Sequence, residues 1–218
     1  QAGNSSNNTA VVVNLSAQGN GTITVRVEAR DNFNNSANST PLTLTVDTGL
    51  PIATVNTINN TNTTDVTPEI NFTITDNFFT VDFTYKVYVG SAVDSNGNAT
   101  NGTSFVRNLT AQGNGTFTTR LEARDPAGNV QNSTPLTITI DSGAPIAIIT
   151  SPVNNSNTSD TTPEIFFNLT DNVDTLLSYK IYIDSTINQT GTASNNTIVG
   201  VNLTNQPNGT YTIRIEAT

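Results

Sequence analysis

One long phrase of sequence occurs twice at a fixed separation, and this repeat constrains the fold more than any other feature. The phrase NLTAQGNGTFTTRLEARDPAGNVQNSTPLTITID runs from Asn108 to Asp141, and 23 of its 34 residues match those 94 positions earlier, from Asn14 to Asp47. Its first half returns between Asn202 and Ala217. Such a period indicates an array of similar domains. We expect the end of one repeat (1–47), a complete repeat (48–141) and the start of another (142–218), within a longer polypeptide.

Within the complete repeat, apolar residues alternate with polar ones, as in half-buried β-strands. One alternating set is Ile70, Phe72 and Ile74. Seven such strands in just under 100 residues predict an all-β fold of tandem Ig-like, seven-stranded antiparallel β-sandwiches of about 94 residues each. We expect residues 90–102, which are rich in Gly, Asn and Ser, to form a long connection with at most a short strand. No window has an apolar stripe of helical period.

The composition excludes several functional classes. The 218 residues include no Cys, His, Met or Trp, only 11% are charged, and the net charge is −9. Without His and Cys the chain lacks the usual general bases and thiol nucleophiles, so we predict no enzymatic activity. The charge is unsuited to nucleic acid or anionic membranes, and no apolar run is long enough to span a bilayer.

Asparagine is unusually frequent and falls in a particular pattern. The chain contains 33 Asn and 56 Ser plus Thr, so independent placement would give about 33 × 56/218, or 8 to 9, N-x-[ST] sequons, whereas 21 are present. This tripeptide accepts N-glycans outside the cytoplasm. The predicted acceptors are Asn14, Asn20, Asn38, Asn71, Asn108, Asn114, Asn132, Asn168, Asn202 and Asn208. Asn-Gly pairs also form hairpin turns, which is the alternative explanation for three of these sites.

Carboxylates recur where the repeats meet. Asp47 and Asp141 end successive repeats, and Asp125 and Asn129 flank one turn. Glu69 with Asp76, and Glu164 with Asp171, bracket a strand of the repeat that follows. Ca²⁺ prefers six to eight oxygen ligands, which loops of adjoining domains can supply. Of these residues, Asp47, Asp125, Asn129 and Asp141 are the predicted metal ligands. The alternative is that they cap turns through their own main chain. We expect no other cofactor.

Four motifs together resemble one family of repeats. They are TPEI-x-F from Thr67 to Phe72, the N-G-T-[FY]-T strand, the EARDPAGN turn, and a closing T-[IV]-D before G-x-P. In these features the whole chain resembles bacterial Ig-like repeats, the tandem modules of large surface adhesins, and similar modules of archaeal surface proteins. In similar adhesin repeats, calcium stiffens the junctions. One departure is the turn at residues 31–35, which lacks a counterpart of Gly128.

The resemblance and the sequons together imply a structural protein at the cell surface. We expect a segment or subunit of an extracellular, glycosylated fibre, stalk or surface layer, with copies of itself as partners in a head-to-tail fibre or lattice. Units joined covalently are one possibility, and strand exchange, in which residues 40–46 complete the unit that ends at Thr218, is another. The alternative functions are an adhesin with these repeats as its stalk, and spacer domains of a secreted enzyme.

Overall fold

Every regular element of the computed structural model, which describes all residues from 1 to 218, is a β-strand. The chain is therefore all-β, as predicted. In the first repeat, β1 pairs antiparallel with β4, and β2 pairs antiparallel with β3. These strands are β1 (Gly21–Val25), β2 (Glu28–Arg30), β3 (Ser36–Asn38) and β4 (Leu42–Val46).

The middle repeat contains nine strands in two sheets. They are β5 (Ile52–Val55), β6 (Thr61–Thr63), β7 (Glu69–Thr75), β8 (Phe83–Val89), β9 (Ala92–Ala99), β10 (Ser104–Asn108), β11 (Gly115–Arg124), β12 (Val130–Asn132) and β13 (Leu136–Ile140). One sheet has the order β10-β7-β5. The other has the order β6-β13-β11-β8-β9, with β12 paired to β11. Seven of the nine strands have four or more residues, and the three-residue β6 lies parallel to β13.

The core of this repeat forms where the apolar faces of the two sheets meet. Ile70, Phe72 and Ile74 of β7 are each at most 2% exposed, as predicted from their alternation. The ring of Phe72 packs edge-to-face on Tyr85 of β8, with centroids 5.0 Å apart. Leu121 of β11 is only 1% exposed. This burial supplies most of the stabilisation, because apolar area removed from water contributes about 25 cal/mol per Å².

Strand β9 corrects one expectation from the sequence. Most of the segment predicted to be a long connection, residues 90–102, is an eight-residue strand in a hairpin with β8. Gly97 lies directly opposite Tyr85, and a Cβ added to this glycine would lie 2.7 Å from the tyrosine hydroxyl. The ring therefore covers the glycine and replaces the side chain that the strand lacks. Tyr179 covers Gly191 in the same way, 94 residues further on.

The last repeat forms two further three-stranded sheets, with orders β14-β15-β18 and β17-β16-β19. Its strands are β14 (Ile146–Ser151), β15 (Glu164–Thr170), β16 (Leu176–Ile183), β17 (Thr186–Ser194), β18 (Ile198–Asn202) and β19 (Ile213–Ala217). Ile165, Phe167 and Leu169 of β15 are buried in its core. Phe167 packs edge-to-face on Tyr179 at 4.9 Å, which repeats the Phe72–Tyr85 contact. The two repeats thus share strand order and core contacts.

Two compact units divide the chain. The first consists of Gln1–Ile58, Glu69–Asn108 and Thr118–Leu136, and the second of Asn59–Pro68, Leu109–Phe117 and Thr137–Thr218. Both units include parts of the middle repeat. The division at residues 47 and 141, expected from the sequence period, stays a prediction.

Replacing Leu121 by Ala tests the sandwich core. The change should lower the free energy of unfolding by about 2–5 kcal/mol, because it leaves a cavity at a site that is 1% exposed. Val27 occupies the equivalent position in the first repeat but is 65% exposed, so Val27→Ala should change the stability by less than about 0.5 kcal/mol. Urea unfolding of both variants measures the difference. Equal losses would contradict the assigned core.

Candidate functional site

Three carboxylates converge in the first compact unit. Asp47, Asp76 and Asp125 each have a side-chain oxygen within 4.8 Å of one from each of the other two. Asp47 and Asp125 are buried, at 8% and 3% exposure, and Asp76 is half-buried. Like charges at this separation repel by about 3 kcal/mol per pair at an effective dielectric constant near 20. Such a cluster is stabilised by a neutralising partner.

The loops hold two of these carboxylates through their own main chain. Asp76 follows β7, and its Oδ1 accepts hydrogen bonds from the N–H groups of Phe78 at 2.7 Å and Phe79 at 2.9 Å. Asp125 follows β11, and its Oδ1 accepts from the N–H groups three and four residues further on, at 2.7 and 2.9 Å. Turn capping, the alternative explanation from the sequence, therefore accounts for one oxygen of each residue.

Asp47 is held by a neighbouring turn and by a side-chain amide. Its Oδ1 accepts hydrogen bonds from the N–H of Gly49 at 2.9 Å and from Nδ2 of Asn20 at 3.1 Å. Asn129 then connects two members of the cluster, because its Nδ2 donates to the main-chain oxygen of Asp47 at 3.1 Å and to Oδ2 of Asp125 at 2.8 Å. Asn129 therefore positions the cluster through its amide nitrogen.

Two oxygens of the cluster have no partner in the protein. Oδ2 of Asp47 and Oδ2 of Asp76 are buried and accept no hydrogen bond. A buried acceptor without a partner is unfavourable, and a buried charge is more so. Ca²⁺ binds carboxylate oxygens at about 2.3–2.6 Å, so oxygens up to 4.8 Å apart can contact one ion from opposite sides. The donor set fits a hard divalent cation.

The structure separates the four ligands that the sequence suggested. Asp47, Asp125 and Asn129 lie together, whereas Asp141 belongs to a second cluster with Asp171 and Asp174 in the other unit. Hydrogen bonds from the N–H groups of Asp174 and Val173 hold the pKa of Asp171 below the usual value for aspartate. Asp76 was noted beside these carboxylates in the sequence but was not one of the four predicted ligands. The available signal was that Asp76 and Asp171 follow the same strand in successive repeats.

A side-chain amide fixes the loop that carries Asp76. Asn101 donates from Nδ2 to the main-chain oxygens of Asp76 and Phe79, both at 2.7 Å, and its Oδ1 accepts from the N–H of Asp76 at 3.2 Å. Asn195, 94 residues further on, makes the same three bonds around Asp171, at 2.6, 2.7 and 3.1 Å. We call these two residues the loop clamps. This role was not predicted from the sequence for either residue.

The turn at residues 31–35 keeps the geometry of its counterpart in the middle repeat despite lacking a glycine. Asn34 adopts a φ of 67° where Gly128 has 98°, because asparagine tolerates the left-handed region. Asp31 Oδ1 accepts from the N–H groups of Phe33 and Asn35, both at 2.9 Å. The hydrogen bond from the Asn35 side chain lowers the pKa of Asp31. The main-chain hydrogen bonds of the two turns match, but one donor to the aspartate Oδ1 differs, being Phe33 in this turn and Gly128 in the middle repeat.

The predicted glycan acceptors differ in exposure and in hydrogen bonding. Asn71 and Asn168 are half-buried, and the other eight are exposed. Asn20 and Asn114 serve a common structural role, since Oδ1 of each accepts a hydrogen bond from the main chain 28 residues further on, at 3.0 Å in both cases. The sequon asparagine therefore also has a structural role at these two positions.

A charged network covers the outer face of β8 and β11. Lys86 contacts Glu122 at 3.3 Å, and the hydroxyl of Tyr88 donates to the same carboxylate at 3.0 Å. The guanidinium of Arg120 lies over the Tyr88 ring, 3.8 Å from its centroid. Burial raises the pKa of Glu122, but hydrogen bonds from Tyr88 and Lys86 and the charges of Lys86 and Arg120 together lower it below its ordinary value. The Lys86–Glu122 pair repeats as Lys180 with Glu216, whose side chains lie 3.2 Å apart.

A polar hollow and a pair of aromatic side chains are two further features of the middle repeat. A hollow of about 220 Å³ beside this network is lined by polar and charged side chains, including Lys86, Glu122 and Arg124. Phe78 and Phe79, the aromatic pair that would favour a binding role if exposed, are both half-buried and pack edge-to-face at 5.1 Å. No helix in the structure has the length and hydropathy needed to cross a membrane.

Comparisons with known proteins give only distant structural likenesses. No family model and no curated protein matches the chain. The fibronectin(III)-like modules of CbhA from Clostridium thermocellum are 14% identical, with 76% of this chain and 85% of that chain covered and a TM-score of 0.37. The BSP domain of a biofilm associated protein is 16% identical, with 78% and 26% covered and a TM-score of 0.31. This chain thus spans about a quarter of the second structure.

The outer-face network predicts a small acid sensitivity. A carboxyl group with a lowered pKa in the folded state stabilises the protein above its unfolded pKa, about 4.3, and that contribution is lost as the pH falls through the folded value. Glu122→Gln should therefore lower stability at pH 7 by up to about 1 kcal/mol and reduce the loss between pH 5 and pH 3. The exposed Glu69→Gln is the control, and urea unfolding against pH is the measurement. Identical pH profiles for all three proteins would exclude the effect.

Proposed function

We propose that this chain is a non-catalytic structural segment of an extracellular fibre, stalk or surface layer, built from repeated Ig-like β-sandwich modules. The observation that carries the proposal is that the second and third repeats share strand pairings, core contacts, loop clamps and outer-face network at spacings of 94 or 95 residues. A module that repeats its whole scaffold supports a load-bearing or spacing role, since binding sites are usually located in loops that differ.

Glycans and copies of the same chain are the partners in this proposal. The 21 sequons exceed the number expected from composition, and most of the predicted acceptors are exposed. Head-to-tail contacts between identical modules generate an open fibre when the rotation does not close. Glycans on the surface of such a fibre would limit unintended pairing between exposed strand edges.

We further propose that the cluster of Asp47, Asp76 and Asp125 binds one Ca²⁺. The cluster combines three converging carboxylates with two buried oxygens that no protein group satisfies, one of them on Asp47, which is more than nine-tenths buried. Ca²⁺ would neutralise the cluster and tie the end of the first repeat to two loops of the next. It would thereby limit bending at this junction.

Imaging of native cells tests the structural role. Antibodies against residues 48–141, applied to source cells for immunogold electron microscopy, should label a surface fibre or layer at many positions along its length. Labelling confined to the shaft beneath a distinct tip would favour the adhesin alternative. Labelling of a secreted enzyme and not of the cell surface would favour the spacer alternative. Labelling inside the cells would contradict the proposal.

Calcium titration tests the metal site. Adding Ca²⁺ to chelator-treated protein should raise the melting temperature, because a ligand at 100 times its Kd stabilises by about 2.7 kcal/mol, and each kcal/mol raises Tm by about 2–4 °C in a chain of this size. Asp76→Asn removes one charge from the cluster and should abolish most of the Ca²⁺-dependent rise in melting temperature.

Asp65→Asn is the matched control for that experiment. Asp65 also caps a turn, with its Oδ1 accepting from the N–H of Thr67 at 2.8 Å, but it lies outside the cluster. This variant should keep the full response to Ca²⁺. If the melting curve of the unmodified protein does not change with Ca²⁺, the metal-site proposal is wrong and the three carboxylates only cap turns.

A further inference from the structure

The loop clamps, Asn101 and Asn195, both lie in sequons. Asn101 begins Asn-Gly-Thr and Asn195 begins Asn-Asn-Thr, so by sequence alone each is an acceptor for an N-glycan. Both side chains are half-buried, and both donate two hydrogen bonds from Nδ2 while accepting one at Oδ1. The hydrogen-bonding capacity of the amide nitrogen is therefore fully used.

Glycosylation is chemically incompatible with this arrangement. Transfer from a lipid-linked diphosphate oligosaccharide forms a bond between sugar C1 and Asn Nδ2, breaks the bond between C1 and the diphosphate oxygen, and releases one amide hydrogen as a proton. Only one N–H remains on the nitrogen. A glycosylated Asn101 would therefore leave the main-chain oxygen of Asp76 or Phe79 without its donor, and would place a sugar against a half-buried loop.

Asn132 shows the opposite arrangement. It ends β12 with an exposed side chain, and its Oδ1 accepts a hydrogen bond from the Arg120 guanidinium. No hydrogen bond to another protein group uses its Nδ2. Asn38, the equivalent residue 94 positions earlier, also ends an exposed strand. Attachment of a sugar to Nδ2 at these positions leaves the existing hydrogen bonds intact.

We propose that the fold divides the sequons into two classes: Asn132 and Asn38 carry N-glycans, whereas Asn101 and Asn195 stay unmodified and act as positioning residues for the loops of Asp76 and Asp171. The assignment of glycans to Asn132 and Asn38 rests on the proposal that the chain is a glycoprotein. The role of Asn101 and Asn195 as positioning residues does not depend on it.

Glycopeptide mass spectrometry of the protein from its source cells tests the division. Peptides containing Asn132 should carry sugar, and peptides containing Asn101 or Asn195 should be found at their unmodified mass. Sugar on Asn101 or Asn195 would overturn the clamp assignment. If no peptide carries sugar, the proposal that Asn132 and Asn38 are glycosylated and the proposal that the chain is a glycoprotein are both overturned. The role of Asn101 and Asn195 as loop clamps is then decided by the next measurement.

Thermal unfolding of glycan-free recombinant protein tests the clamp by itself. Asn101→Ala should lower the melting temperature by at least about 3 °C, since it removes three hydrogen bonds from one loop. Thr103→Ala removes the same sequon but leaves the clamp, and Asn132→Ala removes an exposed acceptor, so both should melt within about 1 °C of the unmodified protein.

A milder variant keeps the test decisive where Asn101→Ala does not fold. Asn101→Asp retains an oxygen that can accept from the N–H of Asp76 but loses both N–H donors, so its melting temperature should fall in the same direction. If Asn101→Ala or Asn101→Asp has the same melting temperature as the unmodified protein, the proposal that Asn101 is a loop clamp is overturned. A loss in Thr103→Ala equal to that in Asn101→Ala would also overturn it, because the tripeptide and not the amide would then be responsible.

Discussion

The packing of two alternating apolar faces against each other is the interaction on which the rest of this structure depends. The chain has no disulfides, so its stability comes from burial of side chains such as Phe72, Tyr85 and Leu121. The polar loops make no comparable contribution to the core. They can hold amides and carboxylates because the sheets fix both ends of each loop in place.

In the loops between the strands, asparagine and aspartate side chains hold the main chain in place through hydrogen bonds. Aspartate oxygens cap the turns after β7 and β11, and asparagine amides join one loop to another. The two hydrogen-bonding ends of an amide satisfy N–H and C=O groups at once, which a hydroxyl or a carboxylate does less completely. The high asparagine content therefore has a structural explanation at several positions, beside its proposed role in glycosylation.

The sequence was a good guide to elements whose signal is local. Alternation identified the inward face of β7, where Ile70, Phe72 and Ile74 are buried. Strand β9 was missed because its residues are polar and its packing comes from Tyr85, on the neighbouring strand. A contact supplied by another segment leaves no signal in the residues that receive it.

The candidate site also depends on contacts between segments that are far apart in the sequence. The sequence by itself determined the module, its period, its all-β class, and the presence of Asp47, Asp125 and Asn129 near the ends of repeats. Only the tertiary structure decided that Asp76 joins this cluster, that Asp141 belongs to a different one, and that Asn101 is a clamp and not simply a sequon. The physical reason is that repeat and alternation are properties of neighbouring residues. A cluster of oxygens and the satisfaction of an amide depend on which loops the folded sheets bring together.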